Sequence, residues 1–380
     1  MHFKGYKIRI YPNKEQEQQI WKHIGACRFI WNYMINVQLE KHKNNEARLS
    51  RNKMVNLSTN LRKETGYEWM KDISINTLHL VCLDLNNAYM NFFEGKTPYP
   101  KFKTKKNEKN IFPTRTDVFR FEKGKVFIEK VGWIKYKTDF VLPQGRYHKF
   151  YNANVCYING KYMVSFCMEC ENQVFDDAKG RMGIDLGIKK TAVVAFEDIK
   201  LEFDNINNSR KVRKLENRKR YLHKKLSHKC KISIRQNGEY VRTKNIEKVI
   251  IELRKTYKKL HDIRTNYNHQ ISHQLISMHP ETIVIESLNI PRLLKNKHMS
   301  KKLLDQQLGT LIEMFNYKCK WNGINLVKAD EYYPSSKLCS GCGAKKKFIS
   351  LSERTYVCHS CGLIIDRDYN AALNLMRYEA

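Results

Sequence analysis

Four cysteines near the end of the sequence have the spacing of a metal site. Cys339, Cys342, Cys358 and Cys361 follow the pattern C-x2-C-x15-C-x2-C. Thiolates arranged as two such pairs can close a tetrahedral Zn²⁺ site across one hairpin. Because four protein ligands leave no open position on the ion, the pattern predicts one structural zinc, not a catalytic one.

Three acidic positions could hold a second kind of metal. Asp185 lies in an apolar run between two glycines that leave room for a close approach, and Glu286 ends a second apolar run. The pair Asp366 and Asp368 follows the cysteines and leads into a helical pattern. Taken singly, each acid is more typical of an exposed strand edge or a cap than of a catalytic site. Together they could hold two Mg²⁺ ions about 3.5–4 Å apart, which is the arrangement that cuts phosphodiester bonds.

The charge of the chain indicates a polyanionic partner. It has 70 Lys and Arg residues against 38 Asp and Glu, a net charge of +32. Nucleic acid is the first candidate and an anionic membrane the second. No apolar stretch of about 18 residues is present, which disfavours the membrane. The N-terminus lacks a signal-peptide core, and eleven scattered cysteines do not form a disulfide framework, so we expect a reducing cytoplasm.

The first half of the chain predicts strands around a helical insertion. Residues 6–11 alternate as a strand, and Asn13 with Gln16 could form a capping box at a helix start. Helical spacing continues to about residue 93, with a polar, basic break near residues 41–53. Short alternating runs separated by glycines then fill residues 119–174, which favours a small β-barrel or sandwich. The first strand is expected to pair with it.

The second half alternates strands and helices around the acids. We predict a hairpin at residues 182–196 that carries Asp185, and a buried strand that ends at Glu286. Residues 209–264 hold 20 Lys or Arg on a helical background broken near residue 237. The remaining predicted elements are a helix at 303–316, a strand at 324–327 and a helix at 370–378.

Two basic segments are candidates for phosphate contact. A loop at residues 95–110 interleaves cations with aromatics, as a backbone-tracking groove does, although a solvated linker has the same composition. The basic helices could likewise be a solvated pair, but 20 cations exceed what solubility requires. The residues that we predict to bind nucleic acid are Lys101, Lys103, Lys105, Arg213, Arg218, Arg220 and Lys224.

Several motifs together resemble the TnpB nucleases, which are encoded by transposons and related to the type V CRISPR effectors. Residues 183–187 (GIDLG), 285–286 (IE) and 366–372 (DRDYNAA) resemble their three RuvC-like motifs. Residues 335–343 and 356–362 resemble their zinc-binding insertion. Weaker likenesses at 6–12, 100–103 and 323–336 extend the resemblance over the whole chain.

The resemblance implies an α+β multidomain fold. It implies an RNase H-like (RuvC) nuclease domain with a zinc-knuckle insertion, and a β-barrel wedge domain that carries an inserted helical recognition domain. The implied segments are 1–11 for the first wedge strand, 12–95 for recognition, 96–178 for the wedge, 179–336 for RuvC with a basic helical segment at 209–280, 337–362 for the zinc insertion and 363–380 for the last RuvC motif and helix.

The resemblance also implies an RNA-guided DNA endonuclease that acts for a transposon. The guide RNA would come from the transposon end, and the target would be double-stranded DNA beside a short adjacent motif. Asp185, Glu286 and Asp368 would be catalytic and hold two Mg²⁺, with Asp366 as a neighbouring alternative to Asp368. A monomer in a prokaryotic cytoplasm, associated with the nucleoid, is expected.

Two other functions remain open from the sequence. The first is an RNA-guided DNA-binding repressor that does not cleave, which would not need the three acids. The second is a transposase that uses the same two-metal chemistry without a guide. Copurified RNA of defined length would separate this enzyme from a guided nuclease.

Overall fold

The computed structural model describes residues 2–105, 110–143, 149–171, 175, 177–350 and 352–379, with only the backbone described at 298. The chain divides into two compact units, Met1–Cys170 and Glu171–Ala380. Each unit has its own hydrophobic core. Among the described residues, no helix combines the length and the apolar character that a membrane crossing requires.

The first unit has three helices inserted after its first strand. The predicted capping box is confirmed, since the backbone N–H of Gln16 donates to Asn13 Oδ1 at 2.8 Å and the Asn13 N–H donates back to Gln16 Oε1 at 3.1 Å. The break predicted near residues 41–53 is confirmed between the first two helices, and a second break that was not predicted precedes the third helix. In chain order the elements begin with β1 (His2–Tyr11), α1 (Lys14–Lys43), α2 (Arg51–Leu61) and α3 (Ile75–Phe93).

A seven-stranded antiparallel sheet completes the first unit, in the order β2-β6-β7-β1-β5-β4-β3. Strand β1 pairs with β7 and β5, which confirms that the helices interrupt the sheet. The edge strands β2 and β3 do not pair among the described residues, so the small β-barrel or sandwich that we predicted is observed as a half-barrel sheet. Its further strands are β2 (Asn110–Pro113), β3 (Arg120–Glu122), β4 (Lys125–Ile128), β5 (Gly132–Lys137), β6 (Phe150–Ile158) and β7 (Lys161–Cys170).

The second unit is built on a five-stranded mixed sheet in the order β10-β9-β8-β11-β12. The first three strands of this unit, β8, β9 and β10, are antiparallel neighbours, whereas β8, β11 and β12 run parallel. The predicted hairpin at 182–196 is confirmed as β8 and β9. The strands are β8 (Lys179–Leu186), β9 (Lys190–Phe196), β10 (Ile199–Asp204), β11 (Pro280–Glu286), β12 (Asn325–Ala329), β13 (Thr355–Val357) and β14 (Ile364–Asp366).

Helices cover both faces of this sheet because its strands are apolar on both faces. Val194 of β9 packs with helices on one face, while its neighbours Val193 and Ala195 pack against Ala372 on the other. This alternation follows the two-residue period of a strand. The helices are α4 (Arg210–Asn237), α5 (Lys244–Ile276), α6 (Ile290–Leu294), α7 (Lys297–Gln306), α8 (Leu308–Trp321) and α9 (Arg367–Met376).

The prediction of a single helix at 303–316 is wrong. Helices α7 and α8 meet at Gln307, whose φ of 56° breaks the helix. The side-chain amide of Asn268 donates to the carbonyls of Gln306 and Gln307 at 3.3 and 3.2 Å. These tertiary bonds take carbonyl groups that a continuous helix would use, and apolar periodicity carries no sign of them.

Candidate metal centre and acidic site

The four predicted cysteines converge on one point. All four sulfur atoms lie within 4.8 Å of one another. The Cys339–Cys361 and Cys342–Cys358 sulfur pairs are each 3.6 Å apart. Tetrahedral zinc with Zn–S bonds of about 2.3 Å requires sulfur separations of about 3.8 Å, so the cluster fits a four-cysteine zinc knuckle.

Each cysteine pair is held by the same turn. The amide of Gly343 donates to Cys339 O at 2.8 Å, and that of Gly362 donates to Cys358 O at 3.0 Å. Both glycines have positive φ, 76° and 73°, which other residues adopt only with strain. Backbone N–H groups of Cys361 and Ser360 lower the pKa of Cys358 to about 6, which favours the thiolate that a metal needs.

Two of the predicted acids lie at the carboxyl ends of adjacent parallel strands. Asp185 is the last residue but one of β8, and Glu286 ends β11. The strands pair with Ile184 opposite Ile285. Asp185 and Glu286 are the next residues on their strands, so they lie at the same level of the sheet. Side chains at matching register positions point to the same face.

The third acid arrives on α9, which packs directly on β8. A Cβ atom added at Gly183 would lie 2.0 Å from the carbonyl oxygen of Ala372 and 2.3 Å from the amide of Met376. Only glycine permits such contact, which confirms the close approach predicted at this position. At Gly187 the nearest atom is the carbonyl oxygen of Lys190, at 3.2 Å. Helix α9 therefore presents its first turn, with Asp368, toward the ends of β8 and β11.

The three acids interact electrostatically. Burial raises the pKa of Asp185 well above its ordinary value, and the carboxylates of Glu286 and Asp368 raise it further. Burial and Asp368 also raise the pKa of Glu286, against a hydrogen bond that lowers it. Asp366 has another task, because its side chain caps α9 by accepting from the amide of Tyr369 at 2.9 Å. Within the described ranges, only the cysteines form a ligand group tight enough to hold an ion as they stand.

Three polar residues that the sequence analysis did not single out hold the acids. Ser335 Oγ donates to Glu286 Oε1 at 2.6 Å. Arg367 donates to Asp368 Oδ1 at 3.0 Å, and Arg354 Nη1 lies 3.5 Å from Asp368 Oδ2. Ser335 precedes the first cysteine turn, and Arg354 lies between the two turns. Nothing in their types or spacing indicates these contacts, because each depends on how the knuckle folds back.

Two asparagines tie the knuckle to α9. Asn370 donates to Leu338 O at 2.6 Å and accepts from the amide of Ser340 at 2.9 Å. One turn later, Asn374 donates to the carbonyls of Ser335 and Leu338, each at 2.8 Å. Both asparagine side chains are buried. The helix that carries Asp368 and the loop that carries Ser335 are therefore one hydrogen-bonded assembly.

The predicted nucleic-acid contacts lie on two surfaces. Near the first, Trp31 Nε1 donates to the carbonyl of Lys101 at 3.0 Å, and the Lys103 ammonium lies 3.5 Å from the centre of the Trp31 ring. The loop that carries Lys101 and Lys103 therefore packs against α1. Arg218 approaches Glu252 at 3.6 Å. The remaining predicted cations are exposed: Lys105, Arg213, Arg220 and Lys224.

Family comparisons match three separate parts of the chain. A family model described as "Helix-turn-helix domain" matches residues 1–47. One described as "Probable transposase" matches residues 165–297. A third, "Cas12f1-like, TNB domain", matches residues 309–375, which include the cysteine cluster.

Whole-length relatives are also found. A protein of Streptomyces pristinaespiralis named "Putative RNA-guided DNA endonuclease" is 25% identical over 374 residues, which cover 98% of this chain and 88% of that protein. "TnpB-like protein L770" of Acanthamoeba polyphaga mimivirus is 25% identical over 414 residues, covering 98% and 72%.

Among solved structures, that of "the mini-RNA-guided endonuclease CRISPR-Cas_phi3" matches with a TM-score of 0.50 at 10% identity. The match covers 99% of this chain and 92% of that one. At this identity the likeness concerns the fold alone.

Proposed function

Because the chain belongs to the TnpB family, we propose that it is an RNA-guided DNA endonuclease that acts for a transposon. The observation that carries the proposal is the meeting of three carboxylates from β8, β11 and α9 at one end of the sheet. A protein that only binds nucleic acid gains nothing from three acids placed so that they repel one another.

The sheet of the second unit supports an RNase H-like (RuvC) nuclease domain. Numbered within the unit, its strands stand in the order 3-2-1-4-5, with the first three antiparallel and the last two parallel to the first. We assign residues 179–336 and 363–380 to this domain, with 337–362 as the zinc insertion. In the first unit we assign 12–95 to recognition and 1–11 with 96–178 to the wedge.

We assign the two catalytic Mg²⁺ ions to Asp185, Glu286 and Asp368. The donors are all carboxylate oxygens, which this ion prefers. Burial and the neighbouring carboxylates raise the pKa of Asp185. A bound divalent cation would offset this repulsion and favour the ionised carboxylate. When bound, the ions would supply an activated water and stabilise the leaving oxygen. Asp368 is preferred to Asp366 because the latter caps α9.

The surrounding residues fix where each acid points. Ser335 donates to one oxygen of Glu286 and leaves the other free to face the site. Arg367 and Arg354 hold Asp368 and balance its negative charge. The zinc has a structural role in this proposal, because the knuckle supplies Arg354 and begins directly after the loop that carries Ser335.

Base pairing with the guide would select the DNA sequence, while the protein grips the duplex through its backbone. The net charge of +32 suits a complex that contains RNA and DNA. We place the complex at a transposon insertion site in a prokaryotic cell.

The test begins with the RNA that copurifies with the protein. It is sequenced, and the purified complex is incubated with DNA that matches it. The wild type and Asp198→Ala, which alters an exposed turn acid, should cleave, whereas Asp185→Ala should bind RNA without cleaving. Cleavage by Asp185→Ala would show that the acid is misassigned. If no RNA copurifies and the protein joins DNA ends, a transposase is favoured. If the wild type binds DNA only with its RNA and does not cleave it, a repressor is favoured.

A further inference from the structure

A groove runs along one flank of the hairpin formed by α4 and α5. Two adjoining cavities of about 580 and 260 Å³ form it, and they share Leu215, Arg218 and Lys259. We call it the hairpin groove. Its walls are Lys211, Lys214 and Arg218 of α4, and Lys255 and Lys259 of α5.

Helical spacing places these cations in two facing rows. Residues 211, 214 and 218 recur at i, i+3 and i+7, and residues 255 and 259 at i and i+4, so each set shares one face of its helix. The helices pack through a narrow apolar seam of Leu222, Leu226, Val249 and Leu253. At the base of the hairpin, Leu215 and Ile263 supply an apolar floor between the rows.

The positive charge of the groove is largely uncompensated. Its four lysines are exposed and make no ion pair within the part of the chain that the structure describes. Arg218 lies 3.6 Å from Glu252, with both side chains more than half exposed, and such a contact stabilises little. Asp262, the other acid of the groove, pairs with Lys258 at 2.8 Å. Five cations against two acids leave an excess of three positive charges, which an anionic partner would neutralise.

The shape of the groove suits one strand better than a duplex. Packed helix axes lie about 8–10 Å apart, so the space between the two rows is narrow. Residues 252–263 of α5 span about 16 Å at 1.5 Å per residue. That length matches about five nucleotides at a spacing of about 3.4 Å. Phosphates would face the lysines while sugars or base edges rest on Leu215 and Ile263.

We propose that the hairpin groove binds a single-stranded segment of the guide RNA. This rests on the proposed function, since a guided nuclease carries its RNA before it meets DNA, and the charge in the groove needs a partner at that stage. Four phosphate contacts are assigned to Lys211, Lys214, Lys255 and Lys259.

The test compares two variants of equal net charge in the full-length protein. The groove variant changes Lys211, Lys214, Lys255 and Lys259 to Gln. The flank variant changes four exposed cations outside the groove to Gln, namely Lys231 and Arg235 of α4 and Lys301 and Lys302 of α7. Binding of an oligouridylate and of a matching oligodeoxythymidylate, each about ten nucleotides long, is measured against salt concentration.

In the groove variant we expect the salt slope for oligouridylate to fall by about 2.8, since each contact to a single strand contributes about 0.7. Affinity at 100 mM salt should fall roughly a hundredfold or more. The flank variant should change much less. Replacing the same four lysines by Arg should preserve binding, and unchanged helical circular dichroism would show that the groove variant is folded.

Equal losses in the two variants would overturn the groove, because general charge would then explain both. A loss confined to oligodeoxythymidylate would overturn the assignment to RNA. The assay needs no cleavage, so it separates the two proposals. If the wild type binds through the groove but does not cut guided DNA, only the proposed function is refuted. If the enzyme cuts guided DNA but its groove variant binds like the flank variant, only the groove proposal is refuted.

Discussion

Gly183→Ala should disable the acidic site although it adds only one carbon atom. The added Cβ would lie 2.0 Å from the carbonyl oxygen of Ala372, where van der Waals contact requires about 3.4 Å or more. Helix α9 would have to withdraw by about 1.4 Å, because the atoms it meets are backbone and cannot rotate away. A displacement of about 1 Å in a catalytic group can cost about a hundredfold in rate, and overpacking of this kind costs about 1–3 kcal/mol in stability.

The matched control is Gly309→Ala in α8, where the new Cβ would lie 4.0 Å from Ile290 and alanine favours the helix. Guided DNA cleavage, thermal unfolding and RNA retention are measured for both variants. We expect Gly183→Ala to lose about two orders of magnitude of cleavage and to unfold at a lower temperature, while RNA retention stays normal. If Gly183→Ala cleaves and melts like the wild type, α9 does not need this contact and our account of how Asp368 is positioned fails.

Three further outcomes can be measured. Cys358→Ser should reduce zinc from one ion per chain to none by atomic absorption, whereas Cys230→Ser, at a half-exposed cysteine outside the cluster, should keep it. Ser335→Ala removes the 2.6 Å hydrogen bond to Glu286 and should lower the apparent Mg²⁺ affinity in cleavage assays by roughly tenfold or more, with zinc unchanged and Ser335→Thr restoring it. Burial lowers the pKa of Lys318 from 10.5 to about 8. Lys318→Met should therefore raise the free energy of unfolding at pH 7 by about 2 kcal/mol, after the shift is discounted for the partly exposed side chain and for the lost hydrogen bonds to His269 and Ser272. That gain should be full below pH 8 and fade between pH 8 and 10.5 in denaturant titrations, since the folded lysine loses its proton above pH 8 and the penalty for burying its charge disappears. A gain that grows with pH would contradict the reasoning.

Local chemistry in the sequence was sufficient for several elements. The Asn13 capping box and the break at Gly238 between α4 and α5 follow from residue types and short-range spacing. The cysteine cluster was equally accessible, because the spacing of its two pairs already restricts the possible folds.

Contacts made by unremarkable residues could not be predicted. Ser335 and Arg354 are ordinary polar residues in loops, and their roles exist only once the knuckle lies against α9. The break at Gln307 is likewise imposed by Asn268 on another helix. The proposed preference for Asp368 over Asp366 came from the motif spacing, and the N-cap hydrogen bond of Asp366, which spacing alone does not specify, supports it.

Strand β1 also constrains the order in which the first unit can form on the ribosome. Its residue His2 pairs with Cys170, so its last partner strand is synthesised only after the three helices have emerged. Those helices can form early from neighbouring residues, while β1 must wait first for β5 and then for β7. A slip of one residue in this late pairing would turn Ile8 and Ile10 from the core toward water. The burial of these two isoleucines therefore penalises a misaligned β1 at the step where the unit closes.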